Sequence, residues 1–163
     1  MVSRFSLPVH FILPLAVIVG LLPCSAQAAA RVGAIEVRDG HGGMPCFTVS
    51  EQEERRSGTP DFRAIVVTDG ASVMWKMGMP KSRSFSMSYH MCIPYAGRLP
   101  VLPQTPAASL HAGKAYDVTV TVDAPRNATA PRLYRGRFCV NGKEGAWKTI
   151  SDSNLCAGRK SVR

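Results

Sequence analysis

The residues best suited to chemistry lie in one stretch, residues 72–95. It holds five of the seven methionines in the chain, together with a tryptophan, a histidine and a cysteine. Thioether and imidazole groups are ligands that Cu(I) accepts. Methionine is also a common filler of irregular gaps in protein cores. The stretch therefore indicates either a site for a soft metal or the buried face of a small domain.

The metal hypothesis depends on Trp75, Met77 and Met79, which are spaced two residues apart and project from one face of an extended backbone. This pattern resembles the Trp-and-paired-Met signature of small periplasmic copper chaperones that serve cation-efflux pumps. The resemblance implies Cu(I) bound by both methionines beneath the Trp75 ring, with His41 from a loop completing the site. His90 is expected to point away from the methionines of its own strand. Core filling explains the same alternation, and we favour it.

Other catalytic arrangements are not suggested. The segment His41-Gly42-Gly43 has the composition of an esterase oxyanion loop, yet the chain contains no G-x-S-x-G nucleophile motif. Glu51, Glu53 and Glu54 cluster in one charged segment, which is not the opposed carboxylate pair of a glycosidase. We therefore predict a protein that is not an enzyme and that needs no cofactor.

The beginning of the chain has the organisation of a secretory signal peptide over residues 1–28. Arg4 supplies a positive charge, an apolar run follows, and small residues precede the expected cleavage point. The apolar run is shorter than the roughly 20 residues that a transmembrane helix needs. We predict a periplasmic or secreted domain of residues 29–163 without a transmembrane anchor, and leave lipid attachment at Cys24 as an alternative.

Four cysteines remain after cleavage, and an even number in a small exported domain predicts two disulfides. None belongs to a CxxC pair, which argues against a zinc site or a redox role. Three pairings are open. The four residues are Cys46, Cys92, Cys139 and Cys156.

Alternation of apolar and polar residues predicts about seven or eight short antiparallel strands. The Met-rich stretch is expected to form a hairpin of strands near 72–79 and 84–91, after a strand at 62–68. The charged segment 51–56 is expected to be a solvated loop, and the Pro-rich segment 94–112 an extended surface connection. Further strands are predicted at 32–38, 46–49, 115–122, 133–140 and 146–150.

The pattern of strands and turns predicts one all-β domain, an immunoglobulin-like β-sandwich stabilised by disulfides. The order Cys46, Trp75, Cys139 is similar to the cysteine, core tryptophan and cysteine that immunoglobulin domains carry on three strands. A barrel built from the same strands is the alternative.

The charge of the chain favours acidic partners. The formal net charge is +9, and removal of the leader leaves about +8, a balance that attracts anions but does not determine a fold. Export argues against nucleic acid, so we expect an acidic protein partner, with a merely solubilising surface as the alternative. The candidate partner-binding residues are Lys81, Arg83, Arg132, Arg135 and Arg137.

Several short motifs resemble a family of small bacterial periplasmic proteins, often lipoproteins, described as immunity proteins of type VI secretion. In this chain Ala96 separates Tyr95 from Gly97, which adjoin in the family pattern. The resemblance implies a β-sandwich that binds and neutralises a toxin in the periplasm. The motifs are Cys46-Phe47, Trp75, Cys92-Ile93-Pro94-Tyr95 with Gly97, Leu110 with Gly113-Lys114-Ala115-Tyr116, and Phe138-Cys139-Val140.

Overall fold

The computed structural model of the chain describes most of the domain that follows the leader. The described residues are 31–97, 102–124, 127, 129–143, 146–151 and 156. The predicted signal peptide and Cys24 lie outside them.

Nine strands, one α-helix and one 3-10 turn form within the described residues. The strands alternate apolar residues with polar ones, so that one face enters the core. They are β1 (Val32–Asp39), β2 (Pro45–Val49), β3 (Asp61–Asp69), β4 (Ser72–Gly78), β5 (Phe85–Ser86), β6 (Ile93–Pro94), β7 (Ala115–Val122), β8 (Leu133–Lys143) and β9 (Ala146–Ile150). The helix α1 spans Glu51–Ser57, and the 3-10 turn spans His41–Gly43.

The strands form one mixed sheet in the order β4-β3-β7-β8-β1-β2-β6, with β5 added to β3 and β9 added to β8. The pair β1 and β8 is parallel, and the other strand pairs are antiparallel. The prediction of a mostly β domain is confirmed. Its strands are not all antiparallel, however, and the immunoglobulin-like sandwich is not confirmed.

The sheet curls so that its two ends meet through side chains. Tyr95, directly after β6, places its ring 5.6 Å from that of Trp75 on β4, edge to face. The Tyr95 hydroxyl donates to the Ala108 carbonyl oxygen at 2.7 Å. The core is enclosed by this curl.

The core consists of the inward residues of neighbouring strands. Phe62, Val118, Val120 and Phe138 have no exposed surface. Burial of such side chains contributes roughly 1.5 to 3 kcal/mol each, before the entropy of ordering is counted. The alternation that predicts these strands therefore reflects the dominant stabilising term.

The charged segment after β2 is the helix α1, so the prediction of a solvated loop there is wrong. The Ser50 side chain caps its start by accepting from the Glu53 amide at 3.2 Å, and Gly58 follows its end with a positive φ. Ser50 and Glu53 have the spacing of a capping box. The helix buries no residue, and within the described ranges no helix is long and apolar enough to cross a membrane.

The predicted Met-rich hairpin forms only in its first strand. β4 pairs with β3 over Ala64–Asp69. The second segment does not pair with β4; it contributes only β5, whose two residues pair with Asp61 and Phe62 at the start of β3. The prediction of a strand over 84–91 is therefore wrong beyond β5. Six of the nine β3 residues are already paired with β4 on this edge, which leaves the second segment little to pair with.

All four cysteines form disulfides, as predicted. Cys46 pairs with Cys92 and Cys139 pairs with Cys156, each with Cα atoms 5.5 Å apart. Cys46 and Cys139 are thus not joined to each other. The immunoglobulin-like disulfide, which would join Cys46 to Cys139 beside Trp75, is therefore not formed.

The described part of the Pro-rich connection between β6 and β7, residues 102–112, runs along the edge of β4 that is not paired with β3. The Thr105 amide donates to the Lys76 carbonyl at 3.0 Å, and the Ala108 amide donates to that of Met74 at 2.9 Å. This agrees with the predicted extended segment. It also covers a sheet edge that would otherwise be open to pairing with another chain.

Candidate functional site

The backbone of the basic turn, Pro80–Arg83, is held by one half-buried side chain, that of Arg63. The guanidinium of Arg63 donates to the carbonyl oxygens of Pro80 at 3.1 Å, of Lys81 at 2.9 Å and of Arg83 at 2.7 Å. The Arg83 amide closes the turn onto the Pro80 carbonyl at 3.0 Å. The side chains of Lys81 and Arg83 are exposed. The backbone of the turn is therefore fixed while its cations face solvent.

Arg63 is itself fixed by an ion pair with Asp123 at 2.7 Å, just past the end of β7. The register of β3 against β7 shifts between Phe62 and Ala64, and such an irregularity re-aims the local side chain. Arg63 was not among the candidate residues predicted from the sequence. The available signal is a cation between the apolar residues Phe62 and Ala64 of β3.

Arg135 and Arg137 lie on the outer face of β8, and both are exposed. Asp117 accepts two hydrogen bonds from Arg137, at 2.8 and 2.9 Å, and this contact raises the pKa of the Arg137 guanidinium. Arg135 faces Thr119 across the strand pair, and no ion pair involves it among the described residues. Arg135 is thus available to an anion, whereas Arg137 is engaged by Asp117.

Arg132 lies directly before β8, near Arg63, the anchor of the basic turn. The Arg132 carbonyl accepts a hydrogen bond from the Val122 amide at 3.1 Å. Asp123, which follows Val122, forms the ion pair with Arg63. The structure therefore connects Arg132 to the basic turn through Asp123 and Arg63. Its side chain is exposed.

A further cation, Lys76, lies in the same outer row of the sheet as Arg135. Lys76 faces Val66, Val66 faces Thr119, and Thr119 faces Arg135. Three strand spacings separate the two cations, about 14 Å. Lys76 was not among the partner-binding residues predicted from the sequence.

The proposed copper ligands are placed differently from one another. Trp75 and Met77 are 1% and 2% exposed within the core, and Met79 packs against the core at its edge. His41 is exposed in the 3-10 turn, where the Gly43 carbonyl accepts from the Thr149 hydroxyl of β9. Trp75 and Met77 are thus residues of the core. Among the described residues, no group of three or more His, Cys, Asp or Glu side chains could hold a metal ion.

A cavity of about 490 Å³ lies between the end of α1 and the segment that joins β7 to β8. Its carboxylates are engaged by neighbours, because Asp61 accepts from the Ser86 hydroxyl at 2.9 Å and Asp123 pairs with Arg63. The Tyr134 ring forms part of the wall, and burial raises the pKa of its hydroxyl. Each of the two carboxylates is therefore engaged by a neighbouring side chain.

Comparisons with known proteins give no identification. No protein-family profile, curated protein or solved structure matches the chain significantly. The resemblance to type VI secretion immunity proteins therefore stays a prediction.

Proposed function

We propose that this chain is an exported, non-catalytic protein that binds an acidic protein partner and neutralises it, as an immunity or inhibitor protein of the periplasm does. The observation that carries the proposal is the basic turn. Its cations, Lys81 and Arg83, are exposed, while Arg63 holds its backbone by three hydrogen bonds.

A turn fixed before binding lowers the entropy cost of association. Exposed cations in a fixed position also raise the rate at which an acidic surface is encountered. Arg132, Arg135 and Lys76 extend the positive charge beyond the turn, and the chain as a whole carries a formal net charge of +9. The electrostatic features favour an acidic partner over an apolar one.

Export is supported by the leader pattern and by the two disulfides, which form and persist in oxidising compartments. The resemblance to immunity proteins supports a toxin as the partner class. The cavity carboxylates, Asp61 and Asp123, already pair with Ser86 and Arg63, which supports binding without catalysis.

The test is to identify a partner and to measure neutralisation. The mature chain with intact disulfides is immobilised, and periplasmic proteins and the products of the flanking genes are offered to it at low salt. A bound protein is then purified and expressed in the periplasm with and without this chain. We expect a stable complex and protection from a toxic effect. Failure of every candidate to bind would contradict the proposal.

Matched charge reversals separate specific binding from general attraction. Lys81→Glu with Arg83→Glu alters the basic turn, and Lys143→Glu with Lys148→Glu makes the same change in net charge on the β8–β9 hairpin. Lys143 lies ten residues along β8 from Leu133, a distance of about 33 Å. We expect loss of protection from the first pair only. Equal loss of protection from both pairs of substitutions would show that only the net charge of the chain matters.

A further inference from the structure

We propose that the loop Met87–Cys92, which follows β5, is a preorganised recognition loop that inserts Met91 into an apolar socket on the acidic partner. This inference rests on the proposed function and adds a second contact to it. The basic turn attracts the partner, and the recognition loop supplies the apolar anchor.

The first half of the recognition loop is bound tightly to the domain although it has no regular secondary structure. Met87 is fully buried, and its amide donates to the Pro60 carbonyl at 2.8 Å. The hydroxyl of Thr48, a fully buried residue of β2, donates to the carbonyl oxygens of Ser88 at 3.1 Å and Tyr89 at 3.2 Å. The loop is thereby joined to β2.

Two charged side chains and a disulfide hold the rest of the loop. Arg38 of β1 donates to the Tyr89 carbonyl at 3.1 Å and stacks 4.2 Å from the centre of its ring. Glu54 of α1 accepts from the Tyr89 amide at 2.9 Å. The disulfide from Cys92 to Cys46 closes the loop. Three separate elements, β1, β2 and α1, therefore fix a single short loop.

This arrangement is costly for Arg38, whose Nη2 is buried without a hydrogen-bond partner among the described residues. A buried unsatisfied donor destabilises the fold and calls for a functional or structural explanation. The remaining contacts of Arg38 are with Glu36 and Tyr89. These contacts support a role for Arg38 in holding the conformation of the loop.

The tip of the loop presents His90 and Met91 to solvent. The Met91 amide donates to the Ser88 carbonyl at 3.0 Å, which forms a turn, and Met91 is 42% exposed. Among the described residues the other exposed large apolar side chains, Val32 and Val73, belong to strands. Val32 lies on the outward side of the alternation in β1, and Val73 lies where the register of β4 against β3 shifts. Met91 is exposed at the tip of a fixed loop, where no strand pattern explains it.

The chemistry of the tip defines the partner surface. Methionine is unbranched and polarisable and fills irregular apolar sockets. The neighbouring His90 ring, which packs edge-on against Tyr89, has a ring N–H that suits a carboxylate or carbonyl acceptor at the rim. An apolar socket with an acidic rim satisfies both groups, and it agrees with a partner that is attracted by the basic turn.

The two contacts can belong to one interface. Arg83 and Met91 are eight residues apart in the chain, so their Cα atoms are separated by at most about 28 Å. A standard interface buries about 800 Å² on each partner, a patch roughly 30 Å across. One acidic partner can therefore cover both the basic turn and the tip of the recognition loop.

The test uses the partner protein obtained in the binding experiment above, purified, with dissociation constants measured by titration calorimetry. Met91→Asp is expected to raise the dissociation constant at least thirtyfold, whereas Met91→Leu changes it less than threefold. Val73→Asp, the same change at another exposed apolar residue, is the matched control and is expected to change it less than threefold. Thermal unfolding of each variant verifies the fold.

The possible outcomes separate the two proposals. If Lys81→Glu with Arg83→Glu weakens binding but Met91→Asp changes it less than threefold, the recognition loop is overturned and the proposed function stands. If Met91→Asp and Val73→Asp weaken binding equally, the loop is also overturned. If no partner protein binds the chain, both proposals fail.

Discussion

β4 and the segment from the basic turn to Cys92 have similar compositions but differ in burial. Both contain methionines and aromatic residues at alternate positions. In β4 the alternate residues Trp75 and Met77 enter the core. In the later segment only Met87 is fully buried, while Met91 is exposed and the backbone is fixed by polar side chains.

The difference lies in the strand that each segment can pair with. β3 offers nine residues on this edge, and β4 takes six of them. Three residues remain, and β5 pairs with two of them, Asp61 and Phe62. Alternation predicts which side chains share a face, but it cannot supply a pairing edge. A segment without such an edge stays irregular, and this segment became a surface loop held by distant side chains.

The largest effect on stability is expected from a substitution in β4, the buried segment of the two. Trp75→Ala should lower the free energy of unfolding by about 3 to 5 kcal/mol, because it removes a large side chain that is 1% exposed. Val73→Ala, two residues earlier on the same strand and 54% exposed, should change it by less than about 0.5 kcal/mol. Urea unfolding measures both. Similar losses in the two variants would show that Trp75 is not a core residue.

The two disulfides test how the irregular segment is held. Replacing either pair with alanines should cost about 2 to 5 kcal/mol. The Cys46–Cys92 bond spans 46 residues and the Cys139–Cys156 bond spans 17. In the chain-entropy account the longer loop makes the first replacement more costly by about 0.9 kcal/mol.

Amide hydrogen exchange distinguishes the local effects of the same two replacements. Loss of Cys46–Cys92 should increase exchange at Tyr89 and Met91, whose amides are hydrogen-bonded in the loop. Loss of Cys139–Cys156 should leave those amides protected. If both replacements exposed the loop equally, the Cys46–Cys92 bond would have no special role in fixing it.

A smaller effect concerns Tyr95, which joins the two ends of the sheet. Tyr95→Phe removes hydrogen bonds to the Ala108 and Met74 carbonyls and should cost about 1 kcal/mol at neutral pH. Unfolding in urea at several pH values measures both this loss and its pH dependence.

Burial raises the pKa of the Tyr95 hydroxyl from 10.0 to about 12. The folded state thus holds the proton more tightly than the unfolded state. The resulting stabilisation is complete below pH 10 and is lost as the pH rises to about 12. Tyr95→Phe should therefore lose less stability than the wild type over this range. An identical alkaline decline in both proteins would show that Tyr95 does not contribute to it.

Much of the fold follows from the sequence because alternation marks burial directly. β1, β2, β3, β4 and β7 were predicted within one or two residues of their observed ends, and all four cysteines form disulfides as expected. The helix α1 was missed because it has no apolar face. Its only signals are the Ser50 cap and the charges arranged along it.

The candidate site is less accessible to sequence analysis. The exposed cations of the basic turn were predicted, since Pro80 and the basic residues mark a turn. The groups that fix the recognition loop come from distant parts of the chain: Thr48 lies 40 residues before Ser88, and Arg38 lies 51 residues before Tyr89. No local pattern contains such contacts, because the curl of the sheet creates them.

The association rate constant of the purified partner, measured against salt concentration, tests the central claim most directly. The wild type is compared with Lys81→Glu/Arg83→Glu and with the control Lys143→Glu/Lys148→Glu. At low salt the basic-turn variant should associate at least about tenfold more slowly and depend less on salt, while the control stays close to the wild type. Equal rate constants for the wild type and the basic-turn variant would contradict the account.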